Sequence, residues 1–182
     1  TATLNWDAEN FTFTSITDFS TVERVYLEDT DASPVPLFHF FLTTDAEQLS
    51  QEFRFTGGAD NFNWVAGFYY MDLDIDDSLG AETEPFVDTG SAITPDVTGL
   101  DNPYTSATES YSVFGQVEFQ LNDTMSLTGG LRWIRDEKEH DYVVNLVDFV
   151  PGTKLRNGNP NILAQLAAYN GDREDDELAW RL

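Results

Sequence analysis

The chain has no cysteine, only two histidines, and only nine Lys and Arg residues among its 182. Without cysteine it can form neither a disulfide framework nor a thiolate metal site. Its histidines, His39 and His140, lie about a hundred residues apart, so a zinc site built on paired histidines is not expected. The 33 Asp and Glu residues give a net charge of −24. Nucleic acid is therefore not expected as a partner, because phosphate binding needs clustered Lys and Arg.

The sequence also lacks several longer patterns. No run of about 18 apolar residues occurs, so no transmembrane helix is predicted. This does not exclude a membrane, because a barrel strand needs only about 9–11 residues, half of which face a polar interior. The nucleophile elbow, the phosphate-binding loop and the dinucleotide glycine motif are absent as well. We therefore expect no enzyme, no catalytic or metal-binding residues and no cofactor.

What is present is alternation of apolar and polar residues, interrupted by connections of two very different lengths. The alternation predicts seven strands, at about 1–7, 10–25, 46–56, 62–75, 108–121, 125–144 and from about 174. Short turns are expected at 7–10, 57–61 and 122–124, and long acidic connections near 27–45, 76–105 and 145–173. Tight turns at one end and long loops at the other are typical of an antiparallel up-and-down outer-membrane barrel.

Alternation alone also fits a soluble β-sandwich, which has one apolar and one polar face as well. Three features favour the membrane: several strands are long, most acidic residues fall outside the predicted apolar faces, and aromatic residues gather near the short turns. Those aromatic residues are Trp6, Phe11, Phe13, Phe62, Trp64 and Phe119. The alternative, a soluble acidic β-rich binding domain with calcium dependence, stays open at this point.

Two acidic motifs need separate consideration. Asp88-Thr89-Gly90 resembles the active-site loop of aspartic proteases, but it occurs once, in a loop punctuated by Pro and Gly, where short matches arise easily by chance. Because a single copy could serve a homodimeric enzyme, an aspartic protease stays a third alternative. The run from Asp72 to Asp77 places acids at alternate positions, as in a calcium loop. The helix–loop–helix version needs Gly at its sixth position and Glu at its twelfth, and here these are Asp77 and Thr83. A solvated acidic loop that divalent cations could bridge to lipopolysaccharide is the remaining interpretation.

Five polar residues are candidates for the lumen of a barrel, because they alternate with apolar residues on predicted strands. They are Glu52, Arg54, Gln116, Glu118 and Arg132. The competing interpretation, favoured for each residue alone, is a ladder of charge pairs between strands that only stabilises the wall. In the last long connection, the apolar spacing of residues 162–167 after Asn159-Pro160-Asn161 predicts a short helix that ends at Asn170-Gly171.

Four segments together resemble the barrel strands of TonB-dependent outer-membrane receptors, over about residues 46–140. They are Leu49–Phe55, Asn63–Tyr70, Glu109–Gln116, and Leu127–Trp133 followed by Asp136-Glu137-Lys138. The resemblance implies a 22-stranded barrel with a plug in its lumen. Residues 1–182 are then expected to be part of the barrel domain, about seven strands, with the plug absent from this stretch.

The same resemblance implies a function. Such receptors import ferric siderophores, cobalamin or carbohydrates across the outer membrane of Gram-negative bacteria, energised by the TonB complex. The implied partners are outer-membrane lipid and lipopolysaccharide, the remaining barrel strands and plug, the TonB complex and a small-molecule ligand. Ligand-contacting positions vary among these receptors, so the resemblance assigns no binding residues.

Overall fold

The computed structural model describes residues 1–30, 32, 34, 38–83, 99–148 and 161–182, and every regular element within them is a β-strand. The strands are β1 (Ala2–Asp7), β2 (Phe11–Asp29), β3 (Phe38–Ala59), β4 (Phe62–Thr83), β5 (Gly99–Asn122), β6 (Met125–Asp148) and β7 (Asn161–Arg181). They form one antiparallel sheet in chain order. The predicted all-β, up-and-down fold is confirmed. Across the described residues the sheet is not closed, since β1 and β7 do not pair.

The predicted contrast between connections is present, but the strands are longer than expected. Strands β2 to β7 contain 19 to 24 residues, whereas about five or six is usual in soluble domains. The connections are 8–10, 60–61 and 123–124 at one end of the sheet, and 30–37, 84–98 and 149–160 at the other. We call these the turn end and the loop end. Strands β3, β5 and β7 begin 8 to 13 residues earlier than predicted, because residues 38–45, 99–107 and 161–173, which were expected in long connections, are strand.

The predicted short helix is wrong, because residues 162–170 belong to strand β7. The residues there pair with β6, at Val147↔Ile162 and Val143↔Ala168. Register shifts fall between Val144 and Asn145 and between Leu146 and Val147. Because of these irregularities the apolar residues of β7 do not follow a period of two. Their spacing therefore resembles that of a helix. Pairing with a long neighbouring strand decides the structure here, and the sequence of β7 alone does not contain that information.

The register assigns each strand side chain to one of two faces, because directly paired residues project to the same side. All four tryptophans project to one side, which we call the tryptophan face: Trp6, Trp64, Trp133 and Trp180. Six of the seven Lys and Arg residues in the described part of the chain project to the other, the arginine face. They are Arg24, Arg54, Arg132, Lys138, Arg173 and Arg181.

The sheet has almost no core of its own. Among the described residues only Phe41 and Val147 are buried apolar side chains. Large apolar side chains on the tryptophan face stay exposed, including Leu131 at 61%, Leu178 at 64% and Trp180 at 71%. Soluble monomers rarely expose a continuous apolar surface of this extent. Within the described ranges, no helix has the length and apolar character needed to cross a bilayer.

Candidate functional site

An uncharged apolar band crosses the tryptophan face. We define it as the residues of that face within 2–6, 11–19, 49–57, 62–70, 111–119, 125–133 and 178–180. None of its members is Asp, Glu, Lys or Arg. Aromatic rings contact one another across strands within it, with centroids 5.0 Å apart for Phe13 and Phe55 and 5.1 Å apart for Tyr70 and Tyr111. A face of this composition suits hydrocarbon and costs free energy in water.

Beyond the band, toward the loop end, the same face becomes acidic within two residues on most strands. This acidic collar comprises Glu23, Asp45, Glu47, Asp72, Asp74, Asp76, Glu109, Glu137, Glu139, Asp172, Glu174 and Asp176. Arg135 is the basic side chain among them, and its guanidinium pairs with Glu137 at 2.8 Å and Glu174 at 2.5 Å. Three of these acids, Asp45, Asp76 and Asp172, fall in stretches predicted to be long connections, and that part of the prediction is wrong. They lie in strands, where apolar residues such as Leu73 and Ile75 alternate with them on the other face.

The collar has no arrangement typical of a metal site in the part of the chain that the structure describes. No three Asp, Glu or His side chains there are grouped so that they could hold a metal ion. The run from Asp72 to Asp77 is extended strand, so its acids project alternately to the two faces and do not surround one point. The other acidic motif, Asp88-Thr89-Gly90, lies outside the described residues.

All five residues predicted to face a lumen project from the arginine face. Glu52, Arg54, Gln116 and Arg132 line one open groove near the turn end, and Glu118 lies in the adjoining hollow with Gln116. The structure therefore brings the predicted residues together on the side opposite the apolar band. Whether that side lines a lumen stays a prediction, because the described strands do not close.

Sequence reasoning missed two further residues that line this groove, Tyr69 and Arg181. Arg181 could have been found from the alternation at the end of the chain, where Leu178 and Trp180 are apolar and the residues between and after them face the other way. Alternation also places Tyr69 opposite Phe68 and Tyr70, but its aromatic ring gave no reason to single it out as a polar residue.

Two polar contacts hold groove side chains in place. The Arg54 guanidinium lies 2.6 Å from Glu52 Oε1, and the two residues share a face two positions apart on one strand. Arg132 Nη2 donates a hydrogen bond of 3.0 Å to Ser112 Oγ on the neighbouring strand, and Ser112 is fully buried. The expected ladder of charge pairs between strands is therefore not what these residues form. One contact is an ion pair within a strand, and the other joins a charged group to a hydroxyl.

Replacing Glu52 by glutamine is expected to change the free energy of unfolding by less than about 1 kcal/mol, because its Arg54 partner is 42% exposed. Unfolding by urea of the variant and the parent, measured side by side in the same detergent, checks this. Arg54→Gln serves as the matched control, since it removes the same pair from the other side. A loss of several kcal/mol for either variant would contradict a weak, solvated pair.

Near the loop end the arginine face carries a cluster of aromatic rings. The ring of His140 lies 5.1 Å from Tyr104 and 6.4 Å from Tyr169. Burial and the nearby carboxylate of Asp77 raise the pKa of Tyr104 above its ordinary value, so its hydroxyl stays protonated at neutral pH. On β3 and β4 the polarity of the two faces inverts along the strand. Near the turn end the tryptophan face of these strands is apolar, and toward the loop end it is acidic while their arginine face becomes largely apolar.

No protein-family model matches the chain, and no curated protein sequence does. A solved structure does: the crystal structure of the ferric yersiniabactin uptake receptor FyuA from Yersinia pestis. The similarity has a TM-score of 0.68 over 97% of this chain, at 16% sequence identity. The chain has the fold of a segment of that receptor. It spans 23% of the receptor's length. The likeness supports, at the level of fold, the resemblance seen in the sequence motifs.

Proposed function

We propose that this chain forms part of the barrel wall of an outer-membrane receptor that imports a scarce nutrient, energised by the TonB complex. The observation that carries the proposal is the uncharged apolar band, which covers one face of a single-layered sheet and is backed by a polar face. The fold likeness to a siderophore uptake receptor supports the same conclusion. In this arrangement the tryptophan face contacts lipid, and the arginine face lines the interior.

The free edges of the sheet fit this proposal. Strand β7 bonds only to β6 over its 21 residues, so its other edge presents unpaired backbone groups within the described sheet. Unsatisfied backbone groups cost several kcal/mol each in hydrocarbon, which is why membrane sheets close into barrels. Further strands would pair with β1 and β7, and a plug would occupy the lumen that they complete.

The proposed activity is binding and gated passage, with no bond chemistry. The groove on the arginine face carries Arg54, Arg132 and Arg181 beside Glu52, so it presents both signs of charge to a plug or a passing solute. Candidate cargoes are a ferric siderophore, cobalamin or a carbohydrate. FyuA is a receptor for ferric yersiniabactin, and iron chelates are accordingly the first class to test.

Deleting the gene for the full-length protein is expected to abolish uptake of one labelled cargo, with ferric siderophores tested first, under nutrient limitation. Loss of the TonB complex should abolish the same uptake, because the proposed transport depends on that energy source. Complementation with the parent gene is the control. Unchanged uptake of every iron chelate, cobalamin and carbohydrate tested would contradict import, and a full-length protein that stays soluble without detergent or lipid would contradict the membrane placement.

A further inference from the structure

The edge of the apolar band toward the loop end is oblique to the strands. We place the edge on each strand at the last apolar or aromatic residue of the tryptophan face before the first charged one. On β2 and β3 these residues are Phe19 and Leu49, which pair directly. Beyond the first charges, Val25 and Leu27 of β2 are apolar again. On β4 the edge lies at Tyr70, which pairs with Gln51. Because Gln51 lies two residues closer to the turn end than Leu49, the edge has moved down by two residues between β3 and β4.

The edge moves down again between β5 and β6. Tyr111 pairs with Tyr70 and is the last aromatic or apolar residue before the first charge on this face of β5. Its partner on β6, Arg135, is already charged, so the band ends there at Trp133, two residues lower. Trp133 pairs with Leu178, where the band ends on β7. From β2 to β7 the edge therefore descends by four residues in two equal steps.

The other edge of the band descends in parallel. On β2 the band starts at Phe11, which lies in the same hydrogen-bonded row of paired residues as Trp64 of β4. On β4 and β5 it starts one position lower on the same face, at the paired residues Phe62 and Phe119. The band consequently has the same height on these strands, nine residues over 11–19, 62–70 and 111–119. With a rise of about 3.3 Å per residue, each span is about 26 Å long.

This slope has a simple geometric meaning. Four residues correspond to about 13 Å along a strand, and five steps between strands about 4.8 Å apart correspond to about 24 Å across the sheet. The edge is thus inclined by about 30° to the hydrogen-bonded rows, near the tilt of about 35–45° that strands have in membrane barrels. Measured perpendicular to this inclined edge, the band is about 23 Å high, close to the apolar belt of about 25 Å in such barrels.

We infer that this oblique edge is the hydrocarbon boundary of the bilayer on the loop side. The inference rests on the proposed function and adds to it the depth and tilt of the strands. Acyl chains cover the tryptophan face up to Phe19, Leu49, Tyr70, Tyr111, Trp133 and Leu178. The collar stands beyond them in headgroups and water. A second packed sheet could also have an oblique outline, but the described residues provide none.

The boundary separates residues that lie in one hydrogen-bonded row. Leu49 and Glu137 share a row through Asp72 and Glu109, yet Leu49 falls on the hydrocarbon side and Glu137 on the water side. A boundary parallel to the rows would give both positions the same environment. This row therefore distinguishes a tilted sheet from an upright one.

Single cysteines at these two positions test the inference, and the absence of native cysteine in this chain simplifies the labelling. The full-length protein carrying Leu49→Cys or Glu137→Cys is labelled with a bimane fluorophore and reconstituted in phosphatidylcholine vesicles that contain acyl-chain nitroxide lipids. We expect strong quenching and a blue-shifted emission at position 49, and at position 137 the weak quenching of a water-exposed label. Val113→Cys, in the band, is the positive control, and Ser50→Cys, on the arginine face, is the negative control.

The outcomes separate the inference from the function on which it rests. Equal quenching at positions 49 and 137, together with strong quenching at Val113, would overturn the oblique boundary and leave the membrane placement intact. Absence of quenching at Val113 in correctly folded protein, verified by circular dichroism, would overturn both. A second row, Thr17→Cys against Asp176→Cys, gives the same comparison without altering either residue of the first pair.

Discussion

Replacing Val117 by arginine is expected to destabilise the protein in a bilayer by about 2 kcal/mol, because a basic side chain on a lipid-facing barrel position costs about 2–4 kcal/mol at midplane and less toward the interface. Val117 projects from the tryptophan face of β5, is 47% exposed in the sheet and lies two residues from the centre of its nine-residue span. The long arginine side chain introduced at this position can reach toward the turn-side interface, which places the effect at the lower end of that range.

The matched control is the adjacent residue. Gln116→Arg introduces the same charge at almost the same depth, but on the arginine face, where the groove is already polar and contains Arg54 and Arg132. We expect it to change the free energy of unfolding by less than about 0.5 kcal/mol, as surface substitutions usually do. Unfolding by urea in phospholipid vesicles measures both variants. Equal effects of the two substitutions would contradict the assignment of the faces to lipid and interior.

Replacing Gly67 by valine is expected to destabilise the sheet by about 3 kcal/mol, the upper end of the range for overpacking. A Cβ added at Gly67 would lie 2.5 Å from Cζ of Phe114 and 2.6 Å from the backbone carbonyl oxygen of Phe53. Both distances are far inside van der Waals contact. The Phe114 ring occupies the space above this glycine, so the ring and the backbone of β3 must both move to admit a side chain.

The sign of this effect is informative, since valine has a higher strand propensity than glycine and would otherwise stabilise a strand. Gly129→Val is the control, because nothing lies within 4 Å of a Cβ added there. We expect that variant to be neutral or more stable. A double variant, Gly67→Val with Phe114→Ala, should recover part of the loss, because it removes the ring and leaves the Phe53 carbonyl contact. A stabilising effect of Gly67→Val would contradict this prediction, because it would show that the Phe114 ring moves away from Gly67 at little cost in free energy.

The number of strands, their order along the chain and the sides on which their residues project follow from the sequence. Alternation is a local property, and Trp64, Ala66 and Phe68 separate from Val65 and Gly67 whatever their neighbours are. The turn positions follow as well, because Asp60-Asn61 and Asp123-Thr124 interrupt that alternation with residues that favour turns. These features need no knowledge of which strands pair.

The strand ends at the loop side could not be predicted, for a physical reason. Alternate acids such as Asp74 and Asp76 resemble a solvated loop when a strand is assumed to have one apolar face throughout. Here the polarity of the two faces exchanges along β3 and β4, so these strands continue through sequence that is acidic on one side and largely apolar on the other. The bond between Arg132 and Ser112 is equally hidden, because it depends on the pairing of β5 with β6.

The acidic collar affects how neighbouring copies of the protein interact in a crowded membrane. If the tryptophan face is the outer surface of a barrel, two copies that approached each other in the same membrane would bring their acidic collars together before their apolar bands could touch. At physiological salt the repulsion extends about 8 Å, enough to oppose contact without reaching distant neighbours. A collar whose twelve acidic side chains outnumber the basic Arg135 would thus oppose close contact between copies.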